Sequence, residues 1–242
     1  MDIVNTFLRV EKKFVLTRSQ AEELKRRISG HVVPDRYPVY DLYNIYFDTT
    51  NNDIVSKCLS KSSYKEKIRL RSYGPCELDD KAFLEIKRKH SGLGQKRRID
   101  ITPFRALKAI RRRGLEEPVS QVEKEIDLFI SRYELIPAMF ITYHRTAFSG
   151  KDDRDLRITF DENIRYRTEN ISMKLNGNER SFTGQDTVVM EIKACGRYPF
   201  WLVEILSDMG LHDQSFSKYG KIYTMLKTTA VCRDPASKVA GN

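Results

Sequence analysis

Lysine and arginine residues alternate with other residues along several segments of this 242-residue chain. In residues 63–73 four cations occupy every second position, at Lys65, Lys67, Arg69 and Arg71. Because successive side chains of a β-strand point to opposite faces, these four cations would share one face. The same pattern, often with a carboxylate beside the cation, recurs at Arg9, Glu11 and Lys13; Glu85, Lys87 and Lys89; Lys96, Arg98 and Asp100; Tyr143 and Arg145; Arg157, Thr159 and Asp161; and Glu191 and Lys193.

A face with so many cations predicts an anionic ligand, because the cations would otherwise repel one another. Arginine matches pairs of phosphate oxygens, and lysine adds a mobile point charge. Carboxylates among them would repel phosphate unless a divalent cation lay between, and Mg²⁺ and Mn²⁺ prefer such oxygen ligands. The mixture therefore predicts metal-dependent chemistry on a triphosphate or a polyphosphate.

For any single strand, the alternative interpretation is a half-buried sheet with its charged face in water. Seven strands with the same bias weaken that alternative. Their apolar faces also need cover, which amphipathic helices can supply. A barrel with charge inside and helices outside meets both requirements.

Composition limits the partners and the compartment. Lys+Arg 43 against Asp+Glu 33 gives a net charge of +10, which favours nucleic acid, phosphate or anionic lipid as partner. No stretch approaches the roughly 20 apolar residues of a membrane span, and residues 1–11 contain no signal-peptide core. The scattered cysteines form no CxxC pair, which favours a cytoplasmic location. They are Cys58, Cys76, Cys195 and Cys232.

The segments between the turn signals predict an α+β protein of one domain, with an antiparallel sheet or barrel. Its core would span residues 7–228 and its tail residues 229–242, with a long loop at 168–184. The predicted strands are 7–16, 39–47, 63–73, 81–90, 95–101, 138–148, 155–161 and 187–194. The predicted helices are 18–29, 103–113, 119–132, 200–209 and 218–228.

Short basic motifs in order along the chain carry a resemblance that covers roughly residues 7–227. They are RVEKKF (9–14), KIRLRSYG (67–74), FLEIKRK (83–89), QKRR (95–98), YHRTAF (143–148), LRITFD (156–161), MEIK (190–193) and FSKYGK (216–221). In these motifs the chain resembles the catalytic domain of the VTC polyphosphate polymerases, in the triphosphate tunnel metalloenzyme (CYTH-like) superfamily. Its length resembles that of the short bacterial homologues.

The resemblance implies an eight-stranded antiparallel tunnel barrel with helices outside. In that tunnel an ATP:polyphosphate phosphotransferase would move the γ-phosphate of ATP onto a growing polyphosphate chain. The residues implied to be catalytic are Arg69, Arg71, Arg145, Arg157 and Lys96. The residues implied to bind phosphate or nucleotide are Lys13, Lys67, Lys87, Tyr143, Lys193, Ser217 and Lys218. Those implied to bind Mn²⁺ or Mg²⁺ are Glu191, Glu11 and Glu85.

Each role has a structural alternative. Glu191 and Lys193 could form an ion pair without metal. Glu11 and Glu85 could neutralise nearby lysines, and Lys218 could cap a helix.

Two departures from the relatives affect the functional prediction. Tunnel triphosphatases begin with ExExK, whereas residues 9–13 read RVEKK, so an arginine replaces the first glutamate and favours a polymerase. Eukaryotic polymerases also carry an SPX domain and transmembrane helices, for which this sequence has no counterpart. Membrane coupling and SPX-type regulation are therefore not carried over, and an unidentified membrane partner stays open. A triphosphatase and a non-enzymatic binder of polyphosphate or nucleic acid stay as alternatives. Nucleic acid is not favoured, since the tyrosines of residues 40–46 have mostly apolar or acidic neighbours.

Overall fold

The computed structural model describes residues 9–233 apart from residues 91, 92, 183 and 185. Residues 7 and 8 of the predicted first strand, and the predicted tail from residue 234, lie outside the described part. The strands are β1 (Arg9–Thr17), β2 (Val32–Asp48), β3 (Tyr64–Tyr73), β4 (Ala82–His90), β5 (Leu93–Ile101), β6 (Ile136–Gly150), β7 (Arg157–Arg167), β8 (Arg180–Ser181) and β9 (Thr187–Cys195). The helices are α1 (Arg18–Ile28), α2 (Asp53–Leu59), α3 (Pro103–Arg112), α4 (Gln121–Arg132), α5 (Phe200–Asp208) and α6 (Lys218–Arg233).

The chain divides into two compact units by its contacts. Unit 1 comprises Met1–Leu42, Thr142–Arg165 and Ser181–Phe216. In it β9 pairs antiparallel with both β1 and β7. One apolar core joins these strands to α1 and α5, through buried residues such as Phe14, Leu24 and Leu202. A capping box of Thr17 and Gln20 begins α1 directly after β1.

Unit 2 comprises Tyr43–Ile141, Tyr166–Arg180 and Ser217–Asn242. In it β4 pairs antiparallel with both β3 and β5. The apolar face of β3 and β4 packs with α3 and α4 in a second core, to which Ile68, Leu84, Ala106 and Phe129 belong. The helices therefore cover the mainly apolar face of the strands, as the alternation of the sequence requires.

The fold is α+β, with a large antiparallel sheet and six helices in the described residues. Hydrogen-bonded neighbours follow the order β1-β9-β7-β6-β2-β3-β4-β5, with β8 beside β7. Within the described ranges no pairing joins β1 to β5, so closure into a barrel stays a prediction. Because the chain divides into two compact units, the prediction of one domain also stays a prediction.

Eight strands and five helices occur where the sequence predicts them, with differences at their ends. β2 begins at Val32 rather than at residue 39. The prediction missed the first half of this strand because it contains Pro34 and Pro38, and proline is disfavoured in strands. The seven-residue α2 is too short for a periodic signal, and α6 continues past residue 228 to Arg233. None of the described helices has both the length and the apolar character needed to cross a membrane.

Candidate functional site

The registers of β3, β4 and β5 place the predicted cations on one face of unit 2. Directly opposite residues in an antiparallel pair point to the same face. The facing pairs are Lys65 and Lys89, Lys67 and Lys87, Arg69 and Glu85, Arg71 and Phe83, Glu85 and Arg98, and Lys87 and Lys96. The alternation read from the sequence is therefore confirmed here.

Glu85 is the centre of this face and is only 2% exposed. Its Oε2 accepts hydrogen bonds from Arg69 Nε at 2.9 Å and Arg69 Nη2 at 2.8 Å. Lys96 Nζ lies 2.5 Å from Oε1, and Arg71 Nη1 lies 3.8 Å from Oε2. We call these four residues the Glu85 cluster. One carboxylate neutralises only one of its three cations, so the cluster carries a local positive excess.

The proximity of these charges shifts the pKa values of the cluster. Burial alone would raise the pKa of Glu85, but Arg69, Arg71 and Lys96 outweigh burial and lower that pKa to about 2. Desolvation lowers the pKa of Lys96 to about 8, although Glu85 acts in the opposite direction. Glu85 is thus an anion throughout the neutral range, whereas Lys96 can lose its proton just above it.

Arg71 is held in place by a side chain that the sequence analysis did not single out. Its Nε donates to Asn44 Oδ1 at 2.9 Å, and Asn44 Nδ2 donates to the carbonyl of Ile141 at 3.0 Å. Asn44 and Arg71 are both buried. The position of the Arg71 guanidinium is therefore fixed before any ligand binds.

Tyr46 is a second residue of this face that the sequence analysis missed. Its hydroxyl oxygen accepts a hydrogen bond from Arg69 Nη1 at 3.0 Å. Burial would raise the pKa of this phenol, but Arg69, Lys67 and Arg71 together lower it to about 7. The signal was present in the sequence, since Asn44 and Tyr46 alternate with apolar Ile45 and Phe47 in β2.

The start of α6 adds a hydroxyl to the same unit. Lys67 Nζ lies 3.4 Å from Ser217 Oγ, which also accepts the amide N–H of Gly220 at 3.3 Å. Lys218 is the first residue of α6. A cation there gains nothing from the helix dipole, so the alternative role of Lys218 as a helix cap is not favoured. The structure thus brings Lys67 and Ser217 together, and their predicted role as phosphate contacts stays a prediction.

In unit 1 the predicted charges form a second group, the Glu191 cluster of Glu191, Lys193, Lys13 and Glu11. Lys13 faces Glu191 and Glu11 faces Lys193 across β1 and β9. Lys193 Nζ lies 2.5 Å from Glu191 Oε1, and Lys13 Nζ lies 3.2 Å from Glu11 Oε1. Burial would raise the pKa of Glu191, but Lys193, Lys13 and Arg145 hold it well below its usual range. Cations and carboxylates therefore alternate in both directions on this face.

The carboxylates of the Glu191 cluster fit a divalent ion only if the ligand supplies further oxygens. The described residues contain no group of three or more histidine, cysteine, aspartate or glutamate side chains placed to hold a metal. Mg²⁺ commonly takes one or two carboxylates together with phosphate oxygens and water. Glu191 and Glu11 suit that arrangement. Glu85 suits it less, because its side chain is 2% exposed, against 13% for Glu191, and it forms close ion pairs with three cations. Ion pairing is the alternative that the contacts of Glu85 favour.

Two predicted arginines have carboxylate partners in unit 1. Arg145 Nε and Nη2 donate to Asp161 Oδ1 and Oδ2, and its guanidinium carbon lies 5.5 Å from the centre of the Tyr143 ring. Arg157 Nε donates to Asp35 Oδ2 at 2.7 Å, and Arg157 Nη2 donates to Tyr40 at 3.1 Å. Asp35 gave no signal in the sequence, because it lies between the prolines that hid the first half of β2.

The predicted site residues fall into two groups by unit. Unit 1 contains Glu11, Lys13, Tyr143, Arg145, Arg157, Glu191 and Lys193, and unit 2 contains Lys67, Arg69, Arg71, Glu85, Lys87, Lys96, Ser217 and Lys218. A polar cavity of about 410 Å³ in unit 2 is lined by none of them. Its walls are Tyr166, Arg167, Thr168, Glu169, Asn170, Asn178 and Arg180.

Comparison with known proteins confirms the family resemblance that the motifs indicate. Residues 8–227 match the family model described as VTC domain. A putative adenylate cyclase from Bacillus halodurans has a similar structure, with a TM-score of 0.53 and 13% identity over 87% of this chain and 94% of that one. A putative adenylyl cyclase from Hippeastrum, described as having a dominant triphosphatase activity, gives 0.54 and 15% over 90% and 96%. No curated protein matches. At these identities the structural neighbours show a shared fold.

Proposed function

The chain belongs to the VTC domain family, and from this premise we propose that it is a metal-dependent polyphosphate polymerase. It would transfer the γ-phosphate of ATP onto the end of a polyphosphate chain. The observation that carries the proposal is the Glu85 cluster, in which Arg69, Arg71 and Lys96 surround one buried carboxylate. Such a cluster attracts a linear chain of phosphates, and its cations need little rearrangement when the phosphates arrive.

We propose further that the strands close into the eight-stranded tunnel that the family resemblance implies. Their charged faces would then point inward, which agrees with the helices lying on the apolar faces of β3 and β4. An interior of this kind suits linear phosphate better than duplex DNA, because a barrel of eight strands encloses room for side chains or one small ligand only.

Phosphoryl transfer requires in-line positioning and neutralised charge more than a covalent nucleophile. In our proposal Arg69, Arg71, Arg145 and Arg157 stabilise the transferring group. Lys96, in the Glu85 cluster with Arg69 and Arg71, neutralises developing charge. The terminal phosphate of the acceptor chain is anionic at neutral pH, so no general base is required. The remaining phosphate and nucleotide contacts would come from Lys13, Lys67, Lys87, Tyr143, Lys193, Ser217 and Lys218.

Mn²⁺ or Mg²⁺, when bound, would neutralise the negative charge of neighbouring phosphate oxygens. Glu191 would hold it, with Glu11 in support. Both carboxylates are paired with lysines in the structure. The same carboxylates therefore either orient those lysines or hold the ion, depending on what is bound.

A cytoplasmic location agrees with this function, because ATP is supplied there and because Cys58, Cys76 and Cys195 are free thiols.

A tunnel-type triphosphatase is the second candidate. It is favoured by the structural likeness to the Hippeastrum protein that is described as a triphosphatase. It is opposed by Arg9, which stands where triphosphatases of this fold carry the first glutamate of ExExK. The two candidates differ in the acceptor, which is water in one case and a phosphate chain in the other.

Incubation with ATP and Mn²⁺, followed by gel analysis of chain length, tests the proposal. Long phosphate chains support the polymerase, free phosphate alone supports the triphosphatase, and no turnover leaves a binding protein. We expect Arg71→Ala and Glu191→Ala to abolish synthesis. Arg111→Ala and Glu134→Ala, at exposed positions, are the matched controls. Near wild-type synthesis by both site variants would rule out these roles.

A further inference from the structure

Arg69 is hydrogen-bonded to two different side chains within unit 2. Its Nε and Nη2 donate to Glu85 Oε2, at 2.9 and 2.8 Å, and its Nη1 donates to Tyr46 Oη at 3.0 Å. The guanidinium carbon also lies 5.8 Å from the centre of the Tyr46 ring. A guanidinium bound by the carboxylate alone could still pivot about that oxygen. The additional bond to Tyr46 restricts this rotation and gives the fork one orientation.

Tyr46 is itself fixed by a chain of contacts that leads to α6. Its ring stacks on that of Tyr219, with ring centres 4.8 Å apart and an angle of 14° between the planes. Tyr219 Oη donates to Asp48 Oδ2 at 2.7 Å, and Asp48 also accepts the amide N–H groups of Ile54 and Val55 at the start of α2. All these side chains are buried, so the phenol of Tyr46 has little freedom to move.

The start of α6 is packed closely against α2 at the same place. A Cβ atom added to Gly220 would lie 3.1 Å from Leu59 Cδ2, which is a close approach for a side chain. Ser217, two residues before Tyr219, lies beside Lys67. The contacts of Tyr219 therefore fix the beginning of α6 and the phenol beside Arg69 at the same time.

We infer that Tyr46 is a positioning residue for Arg69, and that Tyr219 links this positioning to the start of α6. The inference rests on the proposed function, in which Arg69 contacts phosphate. Tyr46 sets the direction of the Arg69 fork, so its hydroxyl affects triphosphate affinity through Arg69. Tyr46 lies outside the motifs that carry the family resemblance, whereas Tyr219 lies within FSKYGK.

The charge environment of Tyr46 gives this inference a distinctive pH dependence. Its pKa of about 7 means that the phenol ionises in the neutral range. The ionised form places a negative charge beside Arg69 and weakens the attraction for an anion, so protonated Tyr46 favours binding. The charged and titratable groups around it, directly or through Arg69, are Lys67, Arg69 and Arg71 on β3, Glu85 on β4, Lys96 on β5 and Tyr219 on α6.

Calorimetric titration with inorganic triphosphate tests the inference without requiring turnover. We expect Tyr46→Phe to weaken binding near pH 6 by roughly tenfold, the usual effect of losing one hydrogen bond to a charged group. We also expect the affinity of the wild type to fall more between pH 6 and 8 than that of Tyr46→Phe. Titration of triphosphate itself and of Lys96 contributes to both proteins, so the difference belongs to Tyr46.

A double-mutant cycle separates positioning from a general loss of structure. In the Arg69→Lys variant the side chain has no guanidinium to be held by both Glu85 and Tyr46. Adding Tyr46→Phe to this variant is therefore expected to change triphosphate affinity by less than about twofold. Tyr133→Phe is the matched control, because it also removes a phenol bonded to a charged group in unit 2, on the apolar face of β3 at Glu66. It is expected to leave triphosphate affinity unchanged.

The outcomes distinguish the inference from the proposed function. A wild type that binds no triphosphate overturns the proposed function and, with it, this inference. A wild type that binds, with a Tyr46→Phe variant of equal affinity and equal pH dependence, overturns the inference alone. Equal weakening by Tyr46→Phe with and without Arg69→Lys does the same. If Tyr46→Phe does not fold, Tyr219→Phe replaces it, and unchanged affinity in that variant counts against the inference.

Discussion

Arg145 and Asp161 form a two-point ion pair inside unit 1, with Nε to Oδ1 at 2.6 Å and Nη2 to Oδ2 at 2.8 Å. Both side chains are almost completely buried. Burial opposes ionisation of Arg145, but Asp161 and its other neighbours raise the pKa of the guanidinium well above its usual value. A residue expected to serve the ligand is thus also part of the folded core.

Asp161→Ala is therefore expected to destabilise the protein by about 3–5 kcal/mol, since it leaves a buried arginine without its partner. Urea unfolding measures the loss. The control is Glu134→Ala, which breaks an exposed pair with Arg113 and is expected to cost at most about 1 kcal/mol. Equal losses in the two variants would show that the buried pair carries no special weight.

Lys96 gives a prediction of pH dependence. Its pKa of about 8 means that it is charged below that pH and neutral above it. Triphosphate affinity is then expected to fall as the pH rises through 8. Because a polyanion favours the charged lysine, binding at about pH 8.5 is expected to take up protons. Calorimetry in two buffers of different ionisation enthalpy measures that uptake.

Lys96→Arg keeps the charge at all these pH values and is expected to reduce the proton uptake near pH 8.5. The net proton exchange that remains at lower pH in this variant then reflects Tyr46 and the triphosphate. Undiminished uptake in Lys96→Arg at the higher pH would mean that Lys96 is not the group that titrates.

Glu191→Gln separates metal binding from ion pairing. If Glu191 holds the metal, Mn²⁺ is expected no longer to stimulate turnover of the Glu191→Gln variant. Triphosphate binding without metal is expected to be at least as strong as in the wild type, since the variant has lost one negative charge. Turnover across a series of Mn²⁺ concentrations and metal-free calorimetry measure the two effects. Unchanged Mn²⁺ stimulation together with lower stability would instead assign Glu191 to its ion pairs with Lys193 and Lys13.

Glu66 offers a contrast on the opposite face of β3. It is a buried carboxylate that accepts hydrogen bonds from Tyr64 at 2.7 Å and Tyr133 at 2.8 Å, with Arg132 at 3.4 Å. Glu66→Gln is expected to cost about 2–4 kcal/mol of stability, because two phenols and the guanidiniums of Arg132 and Arg88 lose a charged partner. Triphosphate affinity is expected to stay within twofold. A large loss of affinity in folded protein would contradict the separation of the two faces.

The charged faces could be predicted because a strand has a period of two, and the side chains at 65, 67, 69 and 71 need no knowledge of the rest of the fold. The pairings that orient these side chains could not be predicted. Asp35 with Arg157, Asp48 with Tyr219 and Asn44 with Arg71 join positions far apart in sequence, and nothing local to either member indicates the other.

Glu66 shows the same limit from the other side. By period it belongs with Ile68 and Leu70 on the apolar face, and it does lie there. Its charge is tolerated because Tyr133 and Arg132 reach it from the end of α4, which a reading of β3 alone does not reveal. Local periodicity determines the side to which a residue points, whereas the identity of its partner depends on tertiary structure.

The strict alternation of β3, β4 and β5 also restricts how the length of this protein can change in evolution. Deleting one residue near the start of β4 would move Leu84 and Ile86 to the positions of Phe83 and Glu85, and would turn the charges toward α3 and α4. Single-residue insertions and deletions in these strands are therefore far more damaging than substitutions. Natural variation in length is expected to concentrate in segments outside the ladders, such as residues 74–81 and 168–179.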